Sequence, residues 1–359
     1  MVRYAVGCMT GTSLDGLDAV LVVAEGVGLD LRVRTLARTG VELGALAFGL
    51  GAATSGTPMS AGDFSRLALE LGELHAQVVG ELVDRSGLEP AVCALPGQTV
   101  VHAPPISMQL INPWPVAQRL GCPVIHDLRG ADLAAGGQGA PITPLADWVL
   151  FRSEEADRAI VNLGGFCNVT SLPAGLDTQG VQGFDVCVCN QVLDSCARAA
   201  LGMPYDHEGR AALAGTPDCD AVDALRDVLR GQSTAGRSLG TGDECGPWVN
   251  RYASLDGKDL MASAVRAVGT EIGERISGAG FAVLAGGGVR NAALVRAIED
   301  VVGPCQTTEA FGIGVQEREA VCVAVLGLLA LDGVVYTQAS ITGRTRPLMA
   351  EGSWIGGRP

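Results

Sequence analysis

Lysine is almost missing from this chain: Lys258 is the only one in 359 residues. A phosphate loop of the Gly-x-x-x-x-Gly-Lys type is therefore excluded. Any phosphate chemistry must rest on backbone amides, arginine and a divalent cation. Positive charge as a whole is scarce, 25 Lys and Arg against 39 Asp and Glu for a net charge of −14. That excludes the basic face a nucleic-acid binder needs, so no nucleic-acid partner is expected. A bound nucleotide is not excluded, because a local anion site can be built from backbone dipoles and a metal. Aromatic residues make up only 4% against 48% apolar residues, so the core must be aliphatic. The apolar run near the end, Ala320 to Leu331, is too short to span a bilayer, and no membrane partner is expected. No apolar leader core stands between Arg3 and the polar stretch that starts at Thr10. The 11 cysteines follow no disulfide or zinc spacing. These features point to a soluble, reduced, cytoplasmic protein, with Cys187, Cys189 and Cys196 read as buried thiols rather than metal ligands.

Glycine is plentiful, and its placement carries the information. The length suggests two domains. The stretch Gly7 to Asp18 lies between two apolar runs and reads as a β-hairpin with a glycine-bearing loop. Gly11 and Gly16 allow backbone N–H groups to approach an anion, and Thr12 and Ser13 add hydroxyl donors. Asp15 and Asp18 beside such a hole make sense if a cation shares it. The theme recurs in the second half, where Arg158 to Asn162 reads as a strand, Gly164-Gly165 as a turn and Asn168 to Leu172 as the next strand. Two such hairpins suggest a duplicated fold with one phosphate-facing loop per copy. Between them, Ser60 to Arg85 has a capping-box start and a helical stripe. Gly97-Gln98-Thr99 forms a turn near His102, and a strand ends before Arg129. The Gly136 to Pro141 segment marks the expected domain junction. Asp185 stands at a strand-to-helix turn, where a catalytic carboxylate and a helix cap are both ordinary. The strand Phe281 to Ala285 ends in Gly286-Gly287-Gly288, with Asn291 opening the next helix, a place for a flat group or phosphate on backbone. A last helix is expected from about Val315 to Leu331, with Glu317 and Glu319 in its first turn.

Taken in order, these segments resemble the duplicated ribonuclease-H-like core of the actin, hexokinase and Hsp70 ATPase superfamily. Within it they resemble the anhydro-N-acetylmuramic acid kinase family nearly end to end. The resemblance rests on Gly7 to Asp18, Gly97-Gln98-Thr99 with His102, Gly136 to Pro141, Val161 to Gly165 with Asn168, Gly183-Phe184-Asp185 with Asn190, Pro204-Tyr205-Asp206, Gly286 to Asn291, Glu319-Ala320 and Ser340 to Gly343. It implies an α/β fold of two ribonuclease-H-like domains, residues 1–140 and 141–359, with a central interdomain cleft. It also implies a reaction in which ATP and water act on 1,6-anhydro-N-acetylmuramic acid. The anhydro bridge opens and the 6-oxygen is phosphorylated, giving N-acetylmuramic acid 6-phosphate on a cell-wall recycling route. Asp185 matches the catalytic aspartate. Gly11, Thr12, Ser13, Leu14, Asp15, Gly16, Leu17 and Asp18 match the phosphate hairpin, with Asp15 holding Mg²⁺ through water. Gly164 and Gly165 would face the phosphates, and Gly286, Gly287, Gly288 and Asn291 the adenosine side. Gln98, Thr99, Arg129 and Glu319 are candidates at the sugar. ATP and Mg²⁺ are the implied cofactors, and a second copy of the chain is the implied partner.

The chain departs from the family pattern after Asp185. Where the family reads Thr-Gly-Pro-Gly-Asn, this chain reads Val186-Cys187-Val188-Cys189-Asn190. If the glycines hold positive φ, side chains there cost about 1 kcal/mol or more each, or the loop is redrawn. Pro96 replaces a histidine, and Gly130 and Ala131 replace arginines that could clamp a carboxylate. Two alternatives therefore stay open: a family member without catalysis that binds nucleotide or a wall fragment as a regulator, and a kinase for a different sugar.

Overall fold

The computed structural model describes residues 1–11, 14, 16–233, 239, 243 and 245–356. In chain order the strands are β1 (Val2–Thr10), β2 (Gly16–Glu25), β3 (Arg32–Glu42), β4 (Val92–Leu95), β5 (Gln98–Ala103), β6 (Ile106–Leu110), β7 (Val124–His126), β8 (Arg158–Leu163), β9 (Phe166–Leu172), β10 (Gln182–Val188), β11 (Phe281–Ala285), β12 (Gln306–Thr307) and β13 (Ser353–Ile355). They fall into two compact units, Met1–Leu150 with Glu317–Pro359, and Phe151–Gln316.

In the first unit the sheet runs β13-β7-β4-β1-β2-β3. β1, β2 and β3 are mutually antiparallel neighbours, and β4 and β7 lie parallel to β1. In the second unit the sheet runs β10-β9-β8-β11-β12. β8, β9 and β10 are again antiparallel, and β11 and β12 parallel. Apart from β13, an extra edge strand antiparallel to β7 in the first sheet, and with the sheet strands numbered in chain order within each unit, both sheets have the order 3-2-1-4-5 with the same strand directions. The duplication inferred from the two glycine hairpins is thus present at the level of topology. A parallel fourth strand needs a crossover, and helices supply it. Ala61–Ser86 follows the third strand of the first unit, and Asn190–Leu201 that of the second.

The units differ from the expected division at 140/141. The Gly136 to Pro141 segment is folded onto its own unit rather than spanning between two. The buried Asp132 carboxylate accepts a hydrogen bond from Gly139 N–H at 2.8 Å, and a Cβ on Gly137 would lie 2.1 Å from Asp132 Oδ2. The terminal helix Arg318–Leu331 belongs with the first sheet, where it packs on β1 and β4. Gly7 permits this approach, since a Cβ there would lie 2.1 Å from the Ala320 carbonyl oxygen and 2.5 Å from Ala324 N.

Helix Ala61–Ser86 has the anticipated capping box, with Ser60 and Asp63 bonded reciprocally, and it stops at Gly87 in the left-handed region, φ 65°. Its Leu67, Leu71, Val78 and Leu82 pack with Val6, Leu17 and Leu21 of the sheet. His75 is buried on the same helix, with Nδ1 2.7 Å from the Leu71 carbonyl. Near the start of the terminal helix, Arg318 forms a two-pronged ion pair with Asp147, Nε to Oδ1 at 2.9 Å and Nη2 to Oδ2, with both side chains almost fully buried.

Two stability predictions follow from these buried groups. Arg318→Met removes the buried guanidinium that faces the Asp147 carboxylate, and urea unfolding should show a loss of about 3–5 kcal/mol. Burial lowers the pKa of His75 to about 4, against the opposing Leu71 carbonyl. The unfolded chain therefore binds a proton between pH 6.5 and 4 that the folded chain refuses, and stability should fall as pH drops through that window. The fall should reach about 3 kcal/mol below pH 4. A His75→Met variant, which removes the group, should lack that component when the two unfolding curves are compared across pH.

Candidate functional site

In the second unit the glycine hairpin between β8 and β9 is locked to the helix that follows β10. The Gly165 carbonyl accepts hydrogen bonds from Cys189 N–H (2.8 Å) and Gln191 N–H (3.3 Å), and the Gly164 carbonyl from Asn190 N–H (3.0 Å). These are among the first amides of Asn190–Leu201, which an α-helix cannot satisfy by itself. Asn190 ties the same corner from its side chain, its Nδ2 donating to the Leu163 carbonyl at 3.0 Å. The triple glycine closes on this corner. Gly286 has φ 85°, and its N–H donates to Val315 O at 2.7 Å. A Cβ on Gly288 would lie 2.7 Å from the Leu163 Cβ and 2.9 Å from Asn190 Oδ1. Only glycine fits there.

Beside this turn lies a cavity of about 570 Å³. Its walls are Gly287, Gly288, Arg290 and Asn291 on one side, Asn190, Leu193 and Asp194 on another, and the segment Tyr205 to Glu208, with Gln316. Its size suits a nucleoside. Asn291 borders it, but its side-chain oxygen caps helix Ala292–Val302 by accepting from Leu294 N–H at 3.1 Å. Asp194 and the Tyr205 to Glu208 wall carry no motif at recognisable spacing, so nothing in the sequence marks a role for them. Only the Pro204-Tyr205-Asp206 resemblance marked the region.

Asp185 sits on β10 at a β-bulge between Asp185 and Cys187. A bulge re-aims the side chain beside it. Its Oδ2 accepts from Leu239 N–H at 2.8 Å, which fixes the carboxylate's orientation. The four residues after it continue as strand and cap: none of Val186 to Cys189 has positive φ, and all four are fully buried. No positive φ is needed here: Val186 to Val188 run on as strand, and Cys189, at φ −125° and ψ −101°, turns the chain into the helix. Cys187 pairs across the ladder with Cys167, and burial holds both thiols well above their usual pKa, while Cys189 is pushed up to about 12. Among the described residues no cluster of metal-ligating side chains forms.

In the first unit, Thr12, Ser13 and Asp15 lie outside the described residues. Of their neighbours, Leu14 takes φ 55° and its N–H donates to the Gly11 carbonyl at 3.2 Å. Leu17 is a core side chain with no exposure, so its contribution at this hairpin is packing. Asp18 is exposed on β2, its Oδ1 lying 2.8 Å from where a Cβ on Gly40 would stand. Gly16 opens β2, where a Cβ would meet the Val41 carbonyl oxygen at 3.0 Å.

At the carboxyl ends of the parallel strands several polar atoms are left over. Thr10 Oγ1, Gln98 Oε1 and His102 Nε2 are buried with no hydrogen-bond partner among the described residues. Thr10 was not singled out in the sequence, where nothing distinguishes it from a strand-end threonine. The register of β5 with β6 places Thr99, His102, Ser107 and Gln109 on one face. Ser107 Oγ accepts from Gln109 Nε2 (2.8 Å) and donates to Val101 O (3.3 Å). His102 Nδ1, 3.0 Å from Ser107 Oγ, therefore carries the proton, and Nε2 is a lone-pair acceptor. Burial and the nearby Arg129 guanidinium keep this histidine neutral by lowering its pKa. Arg129 also donates to the Gly139 carbonyl at 2.9 Å. Asp127, at the end of β7, has φ 47°, and a Cβ on Gly130 would strike its carboxylate at 2.4 Å. Glu319 lies half-buried in the first turn of the terminal helix.

Two sheets of one 3-2-1-4-5 topology, the second beside a nucleoside-sized cavity, define a duplicated ribonuclease-H-like protein. The chain belongs to the anhydro-N-acetylmuramic acid kinase family, whose model matches residues 3–353. The anhydro-N-acetylmuramic acid kinase of Salinibacter ruber is 34% identical over 95% of this chain and 93% of its own. That of Rhodospirillum rubrum is 33% identical over 98% and 94%. Among solved structures, the activator of the 2-hydroxyisocaproyl-CoA dehydratase from Clostridium difficile with bound ADPNP aligns over 90% of this chain and 94% of its own. Its TM-score is 0.46 at 12% identity, a likeness too distant to bear on function.

The capping geometry of Asn291 is directly testable. Asn291→Ala should lower stability by about 1 kcal/mol in urea unfolding, and Asn291→Asp, which keeps an acceptor at the cap, should restore most of it.

Proposed function

We propose that this chain is an ATP-dependent kinase that hydrolytically opens 1,6-anhydro-N-acetylmuramic acid and phosphorylates its 6-oxygen, giving N-acetylmuramic acid 6-phosphate. Family membership over nearly the whole chain gives the reaction. The observation that carries it to the level of residues is Asp185, held on a bulge by Leu239 N–H. A water that attacks the anomeric carbon must lose a proton, and Asp185 is the base that takes it. The 6-oxygen, released as the bridge opens, then attacks the γ-phosphate in line. The cavity of the second unit beside Gly286 to Gly288 would take the adenosine and Gly164 and Gly165 the phosphates, and the glycine hairpin Gly11 to Asp18 of the first unit is a further candidate for phosphate binding. Thr99, Arg129 and the acceptor Nε2 of His102 share one region of the first unit, which suits a sugar's hydroxyl and amide donors; Gln98 and Glu319 complete the candidate sugar contacts.

A divalent cation fits the donor set. Asp15 and Asp18 are hard carboxylates, Gly40 leaves room for the Asp18 side chain, and Mg²⁺ needs only one or two carboxylates besides phosphate oxygens. Mg²⁺ held through water at Asp15 would screen the phosphate charge. The alternative of an impaired family member drew on the loop after Asp185 and on the arginines replaced by Gly130 and Ala131; the absence of positive φ from Val186 to Cys189 weakens the first of these grounds.

The test is a phosphoryl-transfer assay with Mg²⁺-ATP and 1,6-anhydro-N-acetylmuramic acid, the 6-phosphate being detected by mass spectrometry. Product should form with the wild-type protein. Asp185→Asn should abolish turnover while ADP binding by calorimetry stays near normal. Unchanged turnover in that variant would place the base elsewhere, and no product from the wild type would refute the sugar.

A further inference from the structure

The carboxylate, amide and guanidinium groups around the cavity of the second unit are almost all committed to the protein itself. Both Asp206 oxygens accept backbone N–H groups, Oδ1 from Ala211 at 2.9 Å and Oδ2 from Ala212 at 3.0 Å. Glu208 is held by Arg210 at 2.6 Å. Arg290 donates to Gln316 Oε1 at 2.7 Å, and Asn190 and Asn291 are tied into the turn and the cap. Asp194 is the exception. It stands one helical turn after Asn190, half-buried and facing the cavity, and among the described residues none donates a hydrogen bond to its carboxylate. Its nearest charge influence is Arg198, one turn further along the same helix and exposed.

A half-buried carboxylate that no protein group donates to is answered by water, and a ligand that supplies donors replaces that water with charge-assisted hydrogen bonds. Burial raises the Asp194 pKa against the pull of Arg198, as expected for a carboxyl that lacks donors. The required ligand group is therefore one that donates, and preferably twice. It is not an anion, since Asp194, Asp206 and Glu208 face one arginine that is itself engaged. A vicinal diol meets these demands, and a nucleotide carries one on its ribose.

We infer that Asp194 receives the ribose 2′- and 3′-hydroxyls of the nucleotide and sets the preference for ribonucleotides over 2′-deoxyribonucleotides. This rests on the reading of the cavity as the nucleotide site. It also orients the ligand, with the ribose edge toward the acidic wall and the phosphates directed away from it.

The experiment is calorimetry of the full chain, without sugar, with ADP and with 2′-deoxy-ADP in the presence of Mg²⁺. The wild type should bind ADP about tenfold more tightly, the effect of one charge-assisted hydrogen bond. In Asp194→Ala and Asp194→Ser the ratio should fall to about twofold or less, mostly through weaker ADP binding. Equal affinity of the wild type for the two nucleotides would overturn the assignment without recourse to any variant. So would variants that bind ADP and keep the wild-type ratio. Failure of the wild type to bind either nucleotide would overturn the nucleotide reading of the cavity, and this assignment with it.

Discussion

The corner where the Gly164-Gly165 carbonyls meet the amides of residues 189–191 is the constraint on which the second unit's geometry depends. Three hydrogen bonds there saturate amides at a helix start that would otherwise attract an anion. The helix Asn190–Leu201 is thereby fixed against β8 and β9, and the Leu163 backbone and Asn190 side chain are fixed with it. Gly288 then packs where no side chain could enter. The cavity wall is the outer surface of this arrangement. Its shape follows from backbone contacts at glycines rather than from the identity of its side chains.

That dependence explains what the sequence disclosed and what it did not. Glycine turns after short apolar runs are local signals, so the two hairpins, the duplication and the capped helix Ala61–Ser86 were legible. The terminal helix was legible as a helix, but its place was not. Its assignment to the first unit depends on Gly7 meeting Ala320, a contact over some three hundred residues that no local pattern encodes. The same reasoning covers Arg318 and Asp147, which read as ordinary charged residues until burial joins them. Asp185, Gln98, Thr99 and Arg129 were legible as candidates because they sit in motifs. Thr10 and Asp194 were not, because what marks them is an unanswered hydrogen bond, a property of the folded chain alone.

The replacement of the residues after Asp185 shows how a motif can change when the backbone is redrawn without positive φ. Valine and cysteine suit a strand. Val186 and Val188 carry β10 onward, and Cys187 meets Cys167 across the ladder. Cys189 and Cys196 fill the core beside them. These thiols are protonated and enclosed, which makes them small apolar packing units. The change exchanges conformational freedom near Asp185 for packing, and the aspartate keeps its backbone N–H partner.

The leftover polar groups have a common location. Thr10 ends β1, Gln98 follows β4 and Asp127 follows β7, all at the carboxyl edge of parallel strands in the first sheet. The triple glycine follows β11, and the Gly164-Gly165 turn follows β8, at the same edge of the second. Ligands of open α/β sheets gather at this edge, where strand-end loops diverge and backbone groups face outward. The non-glycine residues with positive φ at Leu14 and Asp127 stand there too, and strain of this kind persists where surrounding structure over-determines it. Unanswered acceptors and strained backbone are each unfavourable for folding alone. Both gather at the edge of the first sheet, whereas the equivalent edge of the second is marked by glycine turns, so the two copies of one topology differ in what they present there.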